Sequence, residues 1–491
     1  MKVSLAMNQS APGIMANIGQ LCSSIGPEQV YICGRGPAAA GPDGLGWGRA
    51  AYEAEPVTYG GSLKSIIGAC GSTFLILLLK SEALTLEPSF LTRIEAAFGE
   101  NPKAMLLYAA HRIIRDQTLE QPLIDYQAGS IRDDFDFGPL VVLHLERIQK
   151  ASPALLEGLS QDGTGWYGLR LLLSHIAPPI RLGGVGYEIR SIETSDSEKE
   201  HFSYVDPGNA DYQKKLEKTF SAFAKQAGFY LAPGKLKSVD VSAGEFPVTA
   251  SVIIPVRNRA RTISDAVASA LSQKCSFDFN IIVVDNHSND GTTESLASLA
   301  ARDSRLQHLI PQANDLQIGG CWNLAVNSQS CGRFAVQLDS DDIYQDENTL
   351  QKIVDCFYET KAAAVVGSYT IVDMNLKPLP PGLIDHREWT AENGHNNALR
   401  INGFGAPRAY FTPVIREVQF PNLSYGEDYA AMLGISRTYR IARIYESLYL
   451  CRRWDGNSDA NPSIEKMNRF NAMKDGLRSA EIMARKALSL K

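Results

Sequence analysis

The hydrophobic positions of the C-terminal half follow two different periods. Three short runs rich in β-branched or other apolar residues, Thr249–Ile254, Ile281–Val284 and Phe334–Leu338, each end in polar, loop-forming residues. Between them, apolar residues recur every three or four positions, first over residues 263–271, which is the period of an amphipathic helix. Strands that alternate with helices predict an α/β fold with a mostly parallel, doubly wound sheet.

The N-terminal half repeats this pattern in a degenerate form. The stretch that starts at Gly60 matches the stretch that starts at Gly319, so that Phe74 stands opposite Phe334. Further matched positions are Phe98 with Phe357, Phe137-Gly138 with Phe404-Gly405, and Gly163–Ser174 with Tyr425–Ser436. The order of the matches predicts a tandem duplication. The alternative is two unrelated α/β domains that share apolar patterning.

The acidic positions are not preserved between the halves. Leu79 stands opposite Asp339, Ser81 opposite Asp341 and Trp166 opposite Asp428. We therefore expect a degenerate, non-catalytic domain over residues 1–205, a helix and linker over 206–247, the main domain over 248–460, and a C-terminal helix over 461–491. The Gly-rich stretch Gly34–Gly48 lacks GxGxxG spacing, which predicts a loop and not a dinucleotide site.

Composition limits the function classes. The chain has 491 residues, 44% of them hydrophobic, and a formal net charge of −6, which argues against broad binding to nucleic acid. The eight cysteines include no CxxC pair, and this predicts free thiols in a reducing compartment. No apolar run reaches the ~20 residues of a membrane helix. We expect a cytoplasmic chain without a transmembrane segment, either free or held at a membrane by a partner.

Asp339, Ser340 and Asp341 follow the third apolar run directly. Alternate residues of an extended chain point the same way, so Asp339 and Asp341 can face one ligand together. Two carboxylates without nearby cysteine or histidine suit a hard cation, Mg²⁺ or Mn²⁺. The alternative is an acidic surface turn, or a helix N-cap formed by Asp342.

Asp285 closes the second run, with His287 two positions later. A carboxylate there can accept hydrogen bonds from a base or a ribose hydroxyl, and His287 can contact the same nucleotide. The alternative is that Asp285 and Asn286 only form a turn, and that His287 is simply exposed to solvent.

Two further polar segments carry candidate chemistry. The Glu427-Asp428 pair can take a proton from an acceptor hydroxyl, or it can simply start a helix. The guanidinium groups of Arg452 and Arg453 can neutralise a departing diphosphate, and the indole of Trp454 can pack beside a sugar. The alternative is an ordinary strand end with exposed arginines.

In this order, the motifs resemble those of glycosyltransferase family 2, which has the GT-A fold. The resemblance covers residues ~248–460 and is carried by SVIIPVRNRARTISDAVASALSQ, VVDNHSNDGT, the DSD of a DXD motif, YGEDY and LCRRWDGNSD. The second motif departs from the family pattern, because Asn286-His287-Ser288 follows Asp285. The fold class that the resemblance implies is two GT-A-like mixed-sheet domains in tandem, the first degenerate.

The resemblance also implies residue roles. Asp285 would hold the nucleoside, beside the loop formed by Pro255, Val256, Arg257 and Asn258. Asp339 and Asp341 would hold the donor through the divalent metal. Asp428 would act as catalytic base, and Arg452 or Arg453 would steady the leaving diphosphate.

The implied activity is an inverting, metal-dependent transfer of a hexosyl or N-acetylhexosaminyl group from a nucleotide sugar, with a uridine diphosphate donor as the default. The acceptor is a glycan, a lipid-linked glycan or a protein, and the loop Pro378–Asn402, with Trp389, His386 and His395, is expected to shape its cleft. The N-terminal half would serve as scaffold, acceptor-docking surface, or contact for a protein partner or a second copy. The alternatives are a nucleotidyltransferase on a related sheet and a non-catalytic sugar- or protein-binding module.

Overall fold

The computed structural model describes residues 2–8, 21–34, 50–53, 55–80, 83–151, 156–160, 162–190, 210–387, 389–390, 393–454, 457 and 463–489. The chain divides into two compact units. The first comprises Met1–Glu200, Lys214–Phe229 and Ser463–Lys491, and the second comprises His201–Gln213 and Tyr230–Pro462. The end of the chain therefore belongs to the same unit as its beginning. Most of the Gly-rich stretch predicted as a loop lies outside the described residues.

The described residues of the first unit form a mixed sheet of nine strands. In chain order these are β1 (Val3–Asn8), β2 (Val30–Cys33), β3 (Ala50–Glu53), β4 (Phe74–Leu78), β5 (Ala83–Leu86), β6 (Leu106–Ile114), β7 (Thr118–Gln121), β8 (Leu140–His144) and β9 (Ile180–Arg190). Their order across the sheet is β3-β2-β1-β4-β8-β6-β9-β5, and β7 pairs with β6. Strands β1 to β4 are parallel to one another, whereas β8 runs against both β4 and β6.

Helices cover both faces of this sheet. Residues of α2 (Phe90–Glu100) pack on one face, and residues of α1 (Gly60–Ala69), α3 (Leu145–Ala151) and α4 (Gly165–Ile176) pack on the other. The unit also contains α5 (Ala210–Gln226), which continues from the second unit, and the C-terminal α13 (Ile464–Ser489). Alternate residues of β4 enter opposite cores: Phe74 packs with α2, and Leu75 packs with α1. A central strand buried on both faces explains why its sequence is an unbroken apolar run.

The second unit contains another nine-stranded mixed sheet. Its strands are β10 (Ala250–Val256), β11 (Phe279–Asp285), β12 (Leu306–Leu309), β13 (Phe334–Gln337), β14 (Ile343–Tyr344), β15 (Ala364–Val372), β16 (Pro378–Ile384), β17 (Arg408–Phe411) and β18 (Ile441–Arg452). Its helices are α6 (Ile263–Leu271), α7 (Thr292–Ala300), α8 (Ile318–Val326), α9 (Thr349–Thr360), α10 (Gly394–Asn397), α11 (Thr412–Val418) and α12 (Glu427–Ser436). The strand order is β12-β11-β10-β13-β17-β15-β18-β14, and β16 pairs with β15.

The two sheets have the same topology. Adding nine to each strand number of the first sheet gives the order of the second, including the side strand. The registers agree as well, since Phe74 pairs with His144 across β4 and β8, and Phe334 pairs with Phe411 across β13 and β17. The structure thus confirms the predicted fold class of two tandem mixed-sheet domains.

Packing details recur at matched positions. The rings of Phe74 and Phe98 stack with centroids 5.3 Å apart, and those of Phe334 and Phe357 stack at 4.3 Å. A Cβ atom on Gly60 or Gly319 would lie 1.9 Å from a backbone carbonyl oxygen. Only glycine fits where the helix backbone approaches another segment so closely. Both copies therefore keep the same constraint at the start of the same helix.

No helix in the described part of the chain has the length and apolarity needed to cross a membrane. All eight cysteines are free thiols, as predicted.

Candidate active site

The predicted site residues of the second unit lie where its parallel strands end. Val256, the last residue of β10, pairs in register with Asp285, the last residue of β11. Strand β13 runs parallel to β10 on the other side and leads into Asp339. Because the carboxyl ends of parallel strands share one edge of the sheet, these residues lie together at the edge where such folds bind ligands.

Asp285 is fully buried and makes three contacts inside the protein. Its carboxylate accepts hydrogen bonds from the backbone N–H of Ser288 at 3.0 Å and the hydroxyl of Thr293 at 2.5 Å, and it lies 3.3 Å from His308 Nε2. Burial acts to raise the pKa of Asp285, but hydrogen bonds led by those from Ser288 and Thr293 outweigh it and leave the pKa lowered. The carboxylate holds the turn after β11, and a direct bond to a nucleoside would have to replace one of these contacts.

That turn supports the loop after β10. The backbone N–H of Asn258 donates to Ser288 Oγ at 2.9 Å, and Asn258 Oδ1 accepts from the N–H of Asn289 at 2.9 Å. Asn258 and His287 both adopt left-handed backbone conformations, with φ of 54° and 57°. Pro255 and Val256 are part of the strand, whereas the side chains of Arg257 and Asn258 are exposed.

Asp339 is held from two sides. Gln337 Nε2 donates to both of its carboxylate oxygens, at 2.9 and 3.0 Å, and its backbone N–H donates to the hydroxyl of Tyr449 at 3.0 Å. Burial raises the pKa of Asp339, and the charge of Asp341 adds to the rise, against an opposing attraction from Arg408. Between the two acids, Ser340 is buried, and its carbonyl accepts from Thr262.

Asp341 points to the segment that follows β18. Its Oδ2 atom lies 3.4 Å from Trp454 Nε1, 3.2 Å from Asn457 Nδ2 and 3.7 Å from Arg259 Nε. The Trp454 ring also lies 6.0 Å from the Arg259 guanidinium and 5.2 Å from that of Arg261. One carboxylate, one indole and two guanidinium groups therefore lie close together just beyond the end of β13.

Arg452 is buried beneath this cluster. Its Nε donates to the carbonyl of Asp341, its Nη1 lies 2.8 Å from Asp265, and its backbone N–H donates to Asp342 at 2.7 Å. Nη2 has no hydrogen-bond partner among the described residues. Arg453 continues the strand pairing through its N–H to Val372 and leaves its side chain partly exposed.

Glu427 and Asp428 begin helix α12, after Gly426 in a left-handed conformation. The position suits acids, because the positive end of the helix dipole stabilises them. The Asp428 carboxylate also forms an ion pair of 2.9 Å with Arg408, the first residue of β17, and keeps 26% of its side chain exposed. The pair thus both starts a helix and joins a charged cluster.

Glu427 is the most perturbed acid of that cluster. It is 8% exposed, and its Oε2 has no hydrogen-bond partner among the described residues. Burial, reinforced by the charge of Asp428, raises the pKa of Glu427 from 4.5 to about 8, although Arg408 opposes the shift. At neutral pH the side chain is therefore mostly protonated and can donate a proton or a hydrogen bond.

Because its pKa is raised, Glu427 should make the stability of the folded protein depend on pH. Between pH 4.5 and 8 the unfolded chain releases the Glu427 proton while the folded state keeps it, so this group makes stability fall as pH rises. The Glu427→Gln variant should lack this component, which is on the order of a few kcal/mol. Thermal unfolding of both proteins from pH 4.5 to 8.5 measures it.

The exposed Glu417 provides the matched control, because Glu417→Gln should keep the pH dependence of the wild type. An equal decline in melting temperature for wild type and Glu427→Gln would show that the buried carboxyl is not held protonated.

Comparison with known families decides what this edge of the sheet belongs to. Residues 251–412 match the family described as Glycosyl transferase family 2. The second unit contains a glycosyltransferase family 2 domain. This confirms the resemblance that the motifs indicated.

Solved structures similar to the chain include residues 1–349 of TarS from S. aureus, at 21% identity, TM-score 0.35, and coverage of 42% of this chain and 60% of that one. A mannosyltransferase from Pyrobaculum calidifontis, solved with GDP-Man and Mn²⁺, matches at 15% identity and TM-score 0.35, with coverage of 60% of this chain and 83% of that one. GalNAc-T7 matches at 13% identity and TM-score 0.33, with coverage of 47% of this chain and 50% of that one. The chain thus matches less than two thirds of TarS. No relative was found among the curated proteins compared.

The glycosyltransferase domain offers two acids for a metal ion and no complete protein cage. Among the described residues, no group of three or more histidine, cysteine, aspartate or glutamate side chains is arranged to hold an ion. Mg²⁺ and Mn²⁺ are commonly held by one or two carboxylates plus substrate phosphates. The charge of Asp341 contributes to the raised pKa of Asp339, so the two carboxylates lie near one another.

Several residues of the domain's site were not predicted from sequence. They are Gln337, Arg408, Arg259, Arg261 and Asn457. Arg408 could have been found, because the ungapped match of Phe137-Gly138 to Phe404-Gly405 places it opposite Val141. Arg259 and Arg261 lie in the quoted PVRNRAR turn, but their meeting with Trp454 depends on the fold.

The rings expected to shape an acceptor cleft are instead buried. Trp389, His386 and His395 are 2%, 1% and 6% exposed. Trp389 packs on Phe404 at 5.0 Å, and His395 Nδ1 lies 2.7 Å from the carbonyl oxygen of Ser436. These rings pack inside the domain, and the expectation that the loop shapes an acceptor cleft stays a prediction. Polar surroundings in the sequence did not reveal that the loop folds back on the core.

Proposed function

We propose that the glycosyltransferase domain moves a sugar from a nucleotide-sugar donor to an acceptor hydroxyl with inversion at the anomeric carbon. The observation that carries the proposal is the grouping of Asp428, Asp339 and Asp341 at one strand edge. Arg408 is ion-paired to Asp428 and attracts the charge of Asp339. The charge of Asp341 also acts on Asp339. A proton acceptor and a donor-binding pair of acids thus share one charged cluster.

The donor diphosphate suits the basic groups around Asp341. Arg259 and Arg261 lie beside Trp454, and Arg452 is anchored beneath them. Guanidinium groups bind phosphate oxygens through charge-assisted hydrogen bonds, and Arg453 adds a further cation at the rim. Asp339 and Asp341 would hold a divalent cation, which supplies charge neutralisation to the diphosphate. The uridine diphosphate donor is the family default. The loop Pro255–Asn258 and His287 would flank its nucleoside, and Asp285 would hold the turn that supports this loop.

The reaction then needs one proton transfer. Asp428 accepts the proton of the acceptor hydroxyl while the oxygen of that hydroxyl bonds to the anomeric carbon. The bond from that carbon to the diphosphate breaks on the opposite face, and the diphosphate leaves with the electron pair. The partly exposed Asp428 carboxylate can meet an acceptor, whereas the buried Glu427 beside it cannot. The acceptor belongs to a glycan or glycoconjugate.

The first unit is proposed to be catalytically silent. Leu79 and Trp166 occupy the positions of Asp339 and Asp428, and Trp166 packs against Phe137 at 5.9 Å. An apolar side chain can neither bind a metal ion nor take up a proton. The unit would then serve as scaffold or docking surface.

A donor screen tests the function. The full chain is incubated with uridine- and guanosine-diphosphate sugars and Mn²⁺, and both nucleoside diphosphate and pyrophosphate are measured. We expect nucleoside diphosphate from at least one donor, by transfer to added glycans or by slow hydrolysis. Pyrophosphate as the product would indicate nucleotidyl transfer, and no product from any donor would contradict the proposal.

A further inference from the structure

Arg408 occupies the centre of the charged cluster. Its backbone N–H donates to Gln337 Oε1 at 3.0 Å, and Gln337 Nε2 in turn donates to both oxygens of Asp339. Its guanidinium binds Asp428 at 2.9 Å and the carbonyl of Gly405 at 2.6 Å. One residue of β17 therefore connects the acid expected to bind the donor with the acid expected to take the proton.

The first unit shows what the fold requires at these positions. Leu77 pairs with Val141 across β4 and β8, at the place where Gln337 faces Arg408 across β13 and β17. Leu79 stands where Asp339 stands, and Trp166 where Asp428 stands. Gln337, Asp339, Arg408 and Asp428 thus all have apolar counterparts in the copy, although the strand order and the register are the same. The fold therefore forms without the cluster.

Stability does not explain why the second unit keeps it. Taking an ion pair out of water costs free energy that the attraction between the charges often fails to recover, and apolar replacements of similar volume are often neutral or stabilising. The first unit contains such a replacement. A charged cluster that the fold does not need is best explained by the chemistry of the site.

Resting on the proposed function, we propose that Arg408 is a positioning residue for the transfer reaction. Its guanidinium holds the Asp428 carboxylate in one orientation, and the Gln337 amide fixes that arrangement relative to Asp339. Orientation is important because a general base must lie within hydrogen-bond reach of the proton it accepts. The rigid fork of arginine orients a carboxylate better than the single ammonium of lysine.

Kinetics of three variants test this role. Arg408→Met should lower kcat for the best donor at least ~30-fold and change the donor KM less than ~2-fold, since the lost interaction acts on the base. Arg408→Lys should recover part of kcat because it keeps the charge. Gln337→Leu, the residue of the first unit, should lower kcat less than Arg408→Met does.

Arg305→Met is the matched control, because Arg305 is ion-paired to Asp303 at 2.7 Å just before β12, away from the carboxyl ends of the strands. It should keep the wild-type kcat. Wild-type kcat in Arg408→Met would overturn the proposal, as would a KM rise that accounts for the whole loss.

A second measurement does not depend on activity. Carbodiimide labelling followed by mass spectrometry reports how reactive Asp428 is in the folded protein. Without its ion pair, Asp428 should label at least ~5-fold faster in Arg408→Met than in wild type, with Arg408→Lys between them. Unchanged labelling would overturn the positioning role even if no donor were turned over, whereas faster labelling in an inactive protein would leave the proposed transfer as the failed part.

Discussion

Asp428→Asn is expected to lower turnover at least ~100-fold and to leave donor affinity nearly unchanged. Asparagine has almost the shape of aspartate but cannot accept the proton of the acceptor hydroxyl. The 2.9 Å contact with Arg408 can persist through the amide oxygen, so the geometry around the base should survive. The measurement is a steady-state rate with the best donor, together with a donor titration.

Asp303→Asn is the matched control for that experiment, because Asp303 is also ion-paired to an arginine, at 2.7 Å, but lies just before β12. It should keep full turnover. Normal turnover in Asp428→Asn would show that the acid only begins helix α12. A large rise in donor KM with unchanged kcat would instead place Asp428 in donor binding.

Much of the fold was predictable because burial leaves a periodic record in the sequence. The unbroken apolar run Phe74–Leu78 is one such record, because the alternate residues of this strand lie in two different cores. The matched phenylalanines and glycines indicated the duplication, since packing of the same kind requires the same residues at the same spacing. These are local or repeating signals, which a single sequence retains.

The site was predictable only where short motifs carried it. The DSD and YGEDY motifs pointed to Asp339, Asp341 and Asp428. Arg408 did not stand out, because an arginine after a proline carries no local signal, and its meaning comes from strands β13 and β17 pairing across ~70 residues of sequence. The burial of Trp389 and His386 was missed for the same reason, as polar neighbours in sequence say little about packing in space.

The first unit serves as an internal control for the site of the second unit, because both have the same sheet topology. One copy of the frame carries Gln337, Asp339, Arg408 and Asp428, and the other carries apolar residues there on a sheet of the same register. If the acids and their arginine form the donor and acceptor site, then only one copy can bind a nucleotide. The stoichiometry of binding therefore tests the assignment of both units together.

Removing the two acids of the DSD motif is the change with the largest expected effect on binding. In the double variant Asp339→Ala and Asp341→Ala, the Mn²⁺-dependent part of nucleoside diphosphate binding should be lost, because these two carboxylates are the proposed protein ligands of the ion. Asp346→Asn is the control, since Asp346 follows β14 and is ion-paired to Lys352 at 3.2 Å. It should bind as the wild type does.

Isothermal titration of uridine and guanosine diphosphates, with Mn²⁺, into the full chain is the most direct test. We expect saturable binding of at least one of them at one site per chain in the wild type, and no Mn²⁺-dependent binding in the double variant. No heat from either nucleotide in the wild type, unchanged binding in the double variant, or two equivalent sites per chain would contradict this expectation.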